Sequence, residues 1–149
     1  MQQKIYERLE TIFTDAGFNV NPDGADLRGV DILPAVWFTF PDDQMENPIE
    51  DDDQEIQHEI NEWEFIFNVM VESTRDNYRI ECLKLISTLK KLLYDNRQIP
   101  DPTHGCLARK WKYLGSEIVN FKENRHCSGG VSFNTLITYA QRRDDPTTN

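Results

Sequence analysis

The chain is 149 residues long, with 26 acidic side chains against 16 basic ones and a formal net charge of −10. That length suits one domain with a real core. The acidic balance excludes a general or sequence-specific DNA or RNA binder, which sets clustered Lys and Arg against phosphate. No apolar run approaches the roughly 18–20 residues of a membrane span. Met1-Gln2-Gln3-Lys4 leads straight into an amphipathic pattern without a signal-peptide core. The three cysteines, Cys82, Cys106 and Cys127, are an odd set that reads as reduced cytosolic thiols.

In chain order, residues 3–16 form the first amphipathic helix. Ile5, Leu9, Ile12, Phe13 and Ala16 share a face, and Gly17 stands where a left-handed C-cap belongs. Residues 18–20 are a brief strand before the turn signals Asn21-Pro22-Asp23-Gly24. After a polar, loop-like stretch, Pro34 introduces a β-prone run over 35–40, closed by Pro41.

Residues 41–62 differ from everything around them. Asp42, Asp43, Glu46, Glu50, Asp51, Asp52, Asp53, Glu55, Glu59 and Glu62 crowd a segment without a single Lys or Arg. Such a block repels itself and reads as a long hairpin loop or arm. Ile56, Ile60 and Trp63 have the spacing of a short helical turn before the next strand.

The stretch 62–96 organises the rest. Trp63, Phe65, Phe67, Val69 and Val71 alternate with Glu64, Ile66, Asn68, Met70 and Glu72, the period of a half-buried strand. Ser73-Thr74-Arg75-Asp76-Asn77 supplies turn and N-cap chemistry. Tyr78, Cys82, Leu85, Ile86, Leu89, Leu92 and Leu93 then form one helical stripe, opposite Lys84, Ser87 and Lys91. Leu85, Ile86, Leu89 and Leu93 are expected to pack on the sheet face of Phe65, Phe67 and Val69.

Pro100-Asp101-Pro102 breaks the chain. Arg109-Lys110-Trp111-Lys112-Tyr113 reads as a strand with a cationic edge, and 117–123 as a further strand. Ser128-Gly129-Gly130 supplies turn flexibility. Residues 131–140 alternate as the last strand, and 141–149 are a polar tail. The order α-β-β-α-β-β predicts an α+β fold: one mostly antiparallel sheet with two helices on one face, as a single domain over 1–149.

Chemical motifs are scarce. His104, Cys106, His126 and Cys127 offer four ligand types, but zinc needs them to converge, and adjacent His126 and Cys127 point to opposite sides of an extended chain. Glu50-Asp51-Asp52-Asp53 lacks the spacing of a calcium loop. No nucleophile elbow and no phosphate loop occurs. The chain reads as a non-enzyme without a cofactor. A small metal-dependent hydrolase is the alternative from another class. The opposite-signed patches suit head-to-tail self-association.

The succession of these pieces resembles the tail-terminator (tail-completion) proteins of tailed bacteriophages, of the minor tail protein U type. The resemblance rests on the opening helix ending at Ala16-Gly17 and on the strand Leu33-Pro34-Ala35-Val36-Trp37-Phe38. It continues through the strand 62–72 leading into helix 78–94, and closes with the strand 133–139 and the tail Arg142-Arg143-Asp144-Asp145-Pro146. The acidic segment is longer and more charged than the family pattern needs. The resemblance implies a virion protein made in the host cytoplasm, assembled as a hexameric ring at the head-proximal end of the tail tube. Such a ring stops tube polymerisation and forms the docking surface for the head connector. The implied partners are further copies of the chain, the tail-tube protein, a connector or neck protein, and a sheath protein where there is one. Another neck or head-completion protein is the neighbouring alternative. Trp37, Arg109, Lys110, Trp111, Lys112, Arg142 and Arg143 are the candidate contact residues, with Trp37 and Trp111 as apolar anchors. The carboxylates Asp42, Asp43, Glu46, Glu50, Asp51, Asp52, Asp53 and Glu55 would line the lumen or dock a basic partner.

Overall fold

The computed structural model describes residues 1–20, 34–39, 49–50, 58–71, 78–119 and 129–142. Helix α1 (Gln2–Asp15) buries Ile5, Leu9, Ile12 and Phe13, while Ala16 stays exposed. Gly17 has φ of 93°. The Phe18 N–H donates to the Phe13 carbonyl at 3.0 Å, and that of Gly17 to the Thr14 carbonyl at 3.0 Å. This is the paired hydrogen bonding of a Schellman cap, for which a residue without a Cβ is best suited.

The chain continues through β1 (Asn19–Val20), β2 (Ala35–Thr39), β3 (Ile49–Glu50) and β4 (His58–Val71) into α2 (Tyr78–Asp95). A small hairpin, β5 (Pro100–Asp101) and β6 (Gly105–Cys106), precedes the long strands β7 (Lys110–Val119) and β8 (Gly129–Arg142). The main sheet has the order β1-β2-β4-β8-β7, with β3 also paired to β4. Only the β1–β2 pairing is parallel; the others are antiparallel. The fold is α+β; the brief strand expected over 18–20 is β1, and three further two-residue strands, β3, β5 and β6, are added to the expected succession.

The alternating pattern of β4 works as its period demands. Trp63, Phe65, Phe67 and Val69 join the core with Val131, Phe133, Ile137 and Tyr139 of β8. Rings from α1 close over this face: Phe13 meets Phe67 edge-on at 4.9 Å, and Tyr6 meets Phe38 at 5.5 Å. Helix α2 buries Cys82, Leu89 and Leu93 in the same core, with Leu85 and Ile86 packed against it, on the sheet face that carries Phe65, Phe67 and Val69 as expected. Its backbone comes nearest to β7 and β8, where the Tyr78 hydroxyl ties the start of α2 to the Val119 carbonyl at 2.5 Å.

Pairing overrides local pattern at four places. Strand β4 begins at His58, so residues 58–61 are strand and not the end of an acidic loop, and Ile60 and Trp63 belong to no helical turn. Their partner is a longer β8, which reaches Arg142 and takes residues 141 and 142 out of the tail. Over the described residues the two strands expected at 109–113 and 117–123 are one, β7, carrying an irregularity at Leu114 between Tyr113 and Gly115; residues 120–123 lie outside the described residues. A bulge of this kind absorbs one residue without ending the pairing. Gly129 and Gly130 are strand residues, not a hinge: a Cβ on Gly130 would collide with the Val69 carbonyl oxygen. The expected turn at 73–77 lies outside the described residues.

Ile99 closes the α2 exit. It is fully buried yet has φ of 49°, a costly conformation for a β-branched residue. Its N–H bonds the Asn96 carbonyl at 2.7 Å and its carbonyl accepts from the Leu107 N–H at 3.1 Å. These bonds and the burial hold it in place.

Candidate functional surface

Both helices cover one side of the sheet, so the other side of β4, β8 and β7 carries whatever the chain presents. The register defines that face. Glu62 of β4 pairs with Thr138 of β8, which pairs with Lys110 of β7; Glu64 pairs with Leu136, which pairs with Lys112. Two rungs therefore each read acid, neutral, base across three strands. Glu64, Lys110, Lys112 and Asn134 are exposed, while Glu62, Leu136 and Thr138 are half-buried. Among the described residues none of the four charged side chains is in an ion pair. Two strand spacings separate the acidic column from the basic one, about 10 Å, which is why the rungs stay open.

The same period explains the mixture of bases and rings at 109–113. Lys110 and Lys112 point out of the face, and Trp111 and Tyr113 point into the core. Trp111 is 1 % exposed. Its Nε1–H donates to Thr135 Oγ1 at 2.8 Å, and that hydroxyl donates to the Phe65 carbonyl at 2.6 Å. Trp111 is thus a packing residue of the core and not a surface anchor. Trp37, on the side of β2 away from the helices and opposite Asn68, is 8 % exposed and so is no exposed anchor either. Ala35 and Met70 on the same side are fully buried, so this side is open around the two charged rungs and not at its β2 end. Alternation of facing separates the basic residues from the aromatic ones, and the composition of the run had merged them.

Arg109 is exposed just before β7, its N–H bonded to the Thr138 carbonyl at 2.8 Å. Beyond β7 no strand lies among the described residues. Along this edge strand Leu114 is 48 % and Ile118 38 % exposed, apolar positions that the sequence reading passed over. The signal for them was the Leu114-Gly115 interruption, read there as a gap between strands. Arg142 sits at the end of β8 in register with His58. Glu50 is placed by β3 opposite Glu59. Arg143, Asp42, Asp43, Glu46, Asp51, Asp52, Asp53 and Glu55 lie outside the described residues.

The metal-ligand candidates do not converge where they can be seen. His104 Nδ1 is 3.2 Å from Asp101 Oδ1, while Cys106 Sγ donates to Gln98 Oε1 at 3.7 Å. No group of three His, Cys, Asp or Glu side chains able to hold a metal occurs among the described residues; His126 and Cys127 are outside them. Asp101 is a turn-former. Its Oδ1 accepts the N–H groups of Thr103 and His104 at 2.8 and 2.9 Å. These two bonds, helped by the His104 ring, lower its carboxyl below the ordinary 3.8. A shallow polar cleft between α1 and this hairpin is lined by Lys4, Glu7, Arg8, Thr11, Asp101 and His104. Within it the Arg8 Nε–H donates to the Pro100 carbonyl at 2.6 Å, which docks hairpin to helix.

No helix among the described residues is long and apolar enough to cross a membrane. No protein-family model matches this chain. No curated protein sequence matches it at a significant level.

Proposed function

We propose that this chain is a structural subunit that closes the head-proximal end of a phage tail tube as a hexameric ring and offers the head connector its docking surface. The reading rests on the resemblance in the succession of elements. The observation that carries it is the one-sided packing: two helices on one sheet face, with a charged open face and an apolar-dotted edge strand left for neighbours. A ring needs two different patches per subunit, one meeting the other on the next copy. Arg109 with Leu114 and Ile118 along β7 form one such patch. The carboxylates from Asp42 to Glu55 on the adjacent copy form the other. The bulge and the alternating charges of β7 keep that edge from simple strand addition, so side chains make the contact.

The mechanism is geometric. One ring face binds the last tube ring, the other does not accept another tube subunit, and elongation stops. The test is tube polymerisation followed by electron microscopy, with the purified chain added at increasing ratios. The expected result is shorter tubes, each carrying extra density at one end. Tube lengths that do not change at any ratio would overturn the reading.

A further inference from the structure

We propose that the open sheet face is a self-complementary contact, and that a second copy of this chain docks on it about a two-fold axis running along β8. At two neighbouring levels the face carries its charges in two columns, and Glu117 of β7 is a further exposed charge three levels along from Thr138, beside Ser132 and Asn68. Glu62 and Glu64 stand on β4, Lys110 and Lys112 stand on β7, and Thr138 and Leu136 of β8 lie between them at the same two levels. All four charged side chains are without an ion pair among the described residues.

A two-fold axis between the sheets and parallel to β8 exchanges left and right but keeps the level along the strand. It therefore sets β4 of one copy over β7 of the other. Glu62 then faces Lys110 of the second copy, and Glu64 faces Lys112, twice over by symmetry. The other face-to-face two-fold that keeps the strands aligned, perpendicular to them, stacks each column on itself and sets acid against acid and base against base. The charge pattern selects the first arrangement, because opposed like charges are disfavoured. Sheets pack face to face about 10 Å apart with strands within about 30° of parallel, a gap that Glu and Lys side chains span together. Leu136 and Thr138 meet their own copies at the axis and supply the apolar centre.

The half-buried apolar centre is small and the four pairs are solvent-facing, so the dimer is concentration-dependent and weakens with salt. This contact does not depend on the ring reading, since the ring contact assigned above uses the β7 edge and the acidic segment. Lys110 and Lys112 project from the face and not from the edge.

Sedimentation equilibrium of the full chain at low and high salt tests the proposal, with circular dichroism confirming that each variant is folded. The wild type is expected to pass from monomer to dimer with rising concentration, and to shift back toward monomer in 0.5 M salt. The double reversals K110E/K112E and E62K/E64K should each weaken dimerisation at least tenfold. Mixing these two variants should give a one-to-one heterodimer. The quadruple variant E62K/E64K/K110E/K112E, which swaps the columns, should restore the homodimer. A wild-type chain that stays monomeric at low salt up to millimolar concentration overturns the proposal. So does a dimer that neither reversal weakens, or one that the quadruple swap fails to restore. Reversed variants that no longer dimerise but still shorten tubes would leave the ring reading standing. A dimer that responds as expected in a chain that never shortens tubes would remove the ring reading alone.

Discussion

Thr135→Val replaces one hydroxyl by a methyl of nearly the same shape, at a position with no solvent exposure. The hydroxyl accepts from Trp111 Nε1 at 2.8 Å and donates to the Phe65 carbonyl at 2.6 Å, so one atom links β7, β8 and β4. Removing it loses two buried hydrogen bonds, each contributing about 0.5–1.5 kcal/mol net, and leaves the indole N–H buried without its acceptor, a cost of about 1–3 kcal/mol. Because no cavity opens, the polar loss stands alone, and an overall destabilisation of about 2–4 kcal/mol is expected. For a domain of this size that lowers the melting temperature by roughly 4–16 °C. Urea unfolding followed by tryptophan fluorescence reads the change directly. Trp111→Phe, alone and combined with Thr135→Val, completes the cycle. A coupling of about 1–2 kcal/mol between the two sites is expected, in the range found for contacting residues. A Thr135→Val variant within about 0.5 kcal/mol of wild type, the scatter of an inconsequential substitution, would show that the link does not hold the three strands together.

Leu89→Ala, at a fully buried position of α2, should cost about 2–5 kcal/mol in urea unfolding; an unchanged midpoint would remove α2 from the core. Gly130→Ala drives a methyl toward the Val69 carbonyl and should destabilise by at least about 1–3 kcal/mol, whereas a neutral result would mean that β4 and β8 separate easily there. The Asp101 carboxyl should titrate below 3.8, as read from the amide shifts of Thr103 and His104. Its pKa is lower folded than unfolded, so its stabilising effect is present above 3.8 and is lost as pH falls through the folded value. A midpoint above 3.8 would contradict the turn bonds.

Most of the frame was legible because hydrophobic period is a local property. The alternations at 63–71 and 131–140, the stripe of α2 and the cap at Ala16-Gly17 each follow from neighbours in sequence, and all are present. What was not legible depended on partners. His58 and Arg142 extend their strands because they face each other, which no local window can register. Gly129 and Gly130 looked like turn residues because their close approach to Val69 and Tyr78 is tertiary. Trp111 drew attention as an aromatic among bases, and only the strand period sends it inward while Lys110 and Lys112 face out. The acid–neutral–base rungs were invisible because they join residues up to 76 positions apart, as Glu62 and Thr138 are. The cleft at Lys4, Arg8 and His104 likewise joins the chain start to a distant hairpin.

The central claim is that this chain ends a tube, and electron cryomicroscopy of tail tubes grown in its presence tests it most directly. One ring of six copies is expected at a single end of every tube, with tube subunits on one side of it only. Copies distributed along the tube wall, tube subunits on both sides of the ring, or bare ends throughout would contradict it.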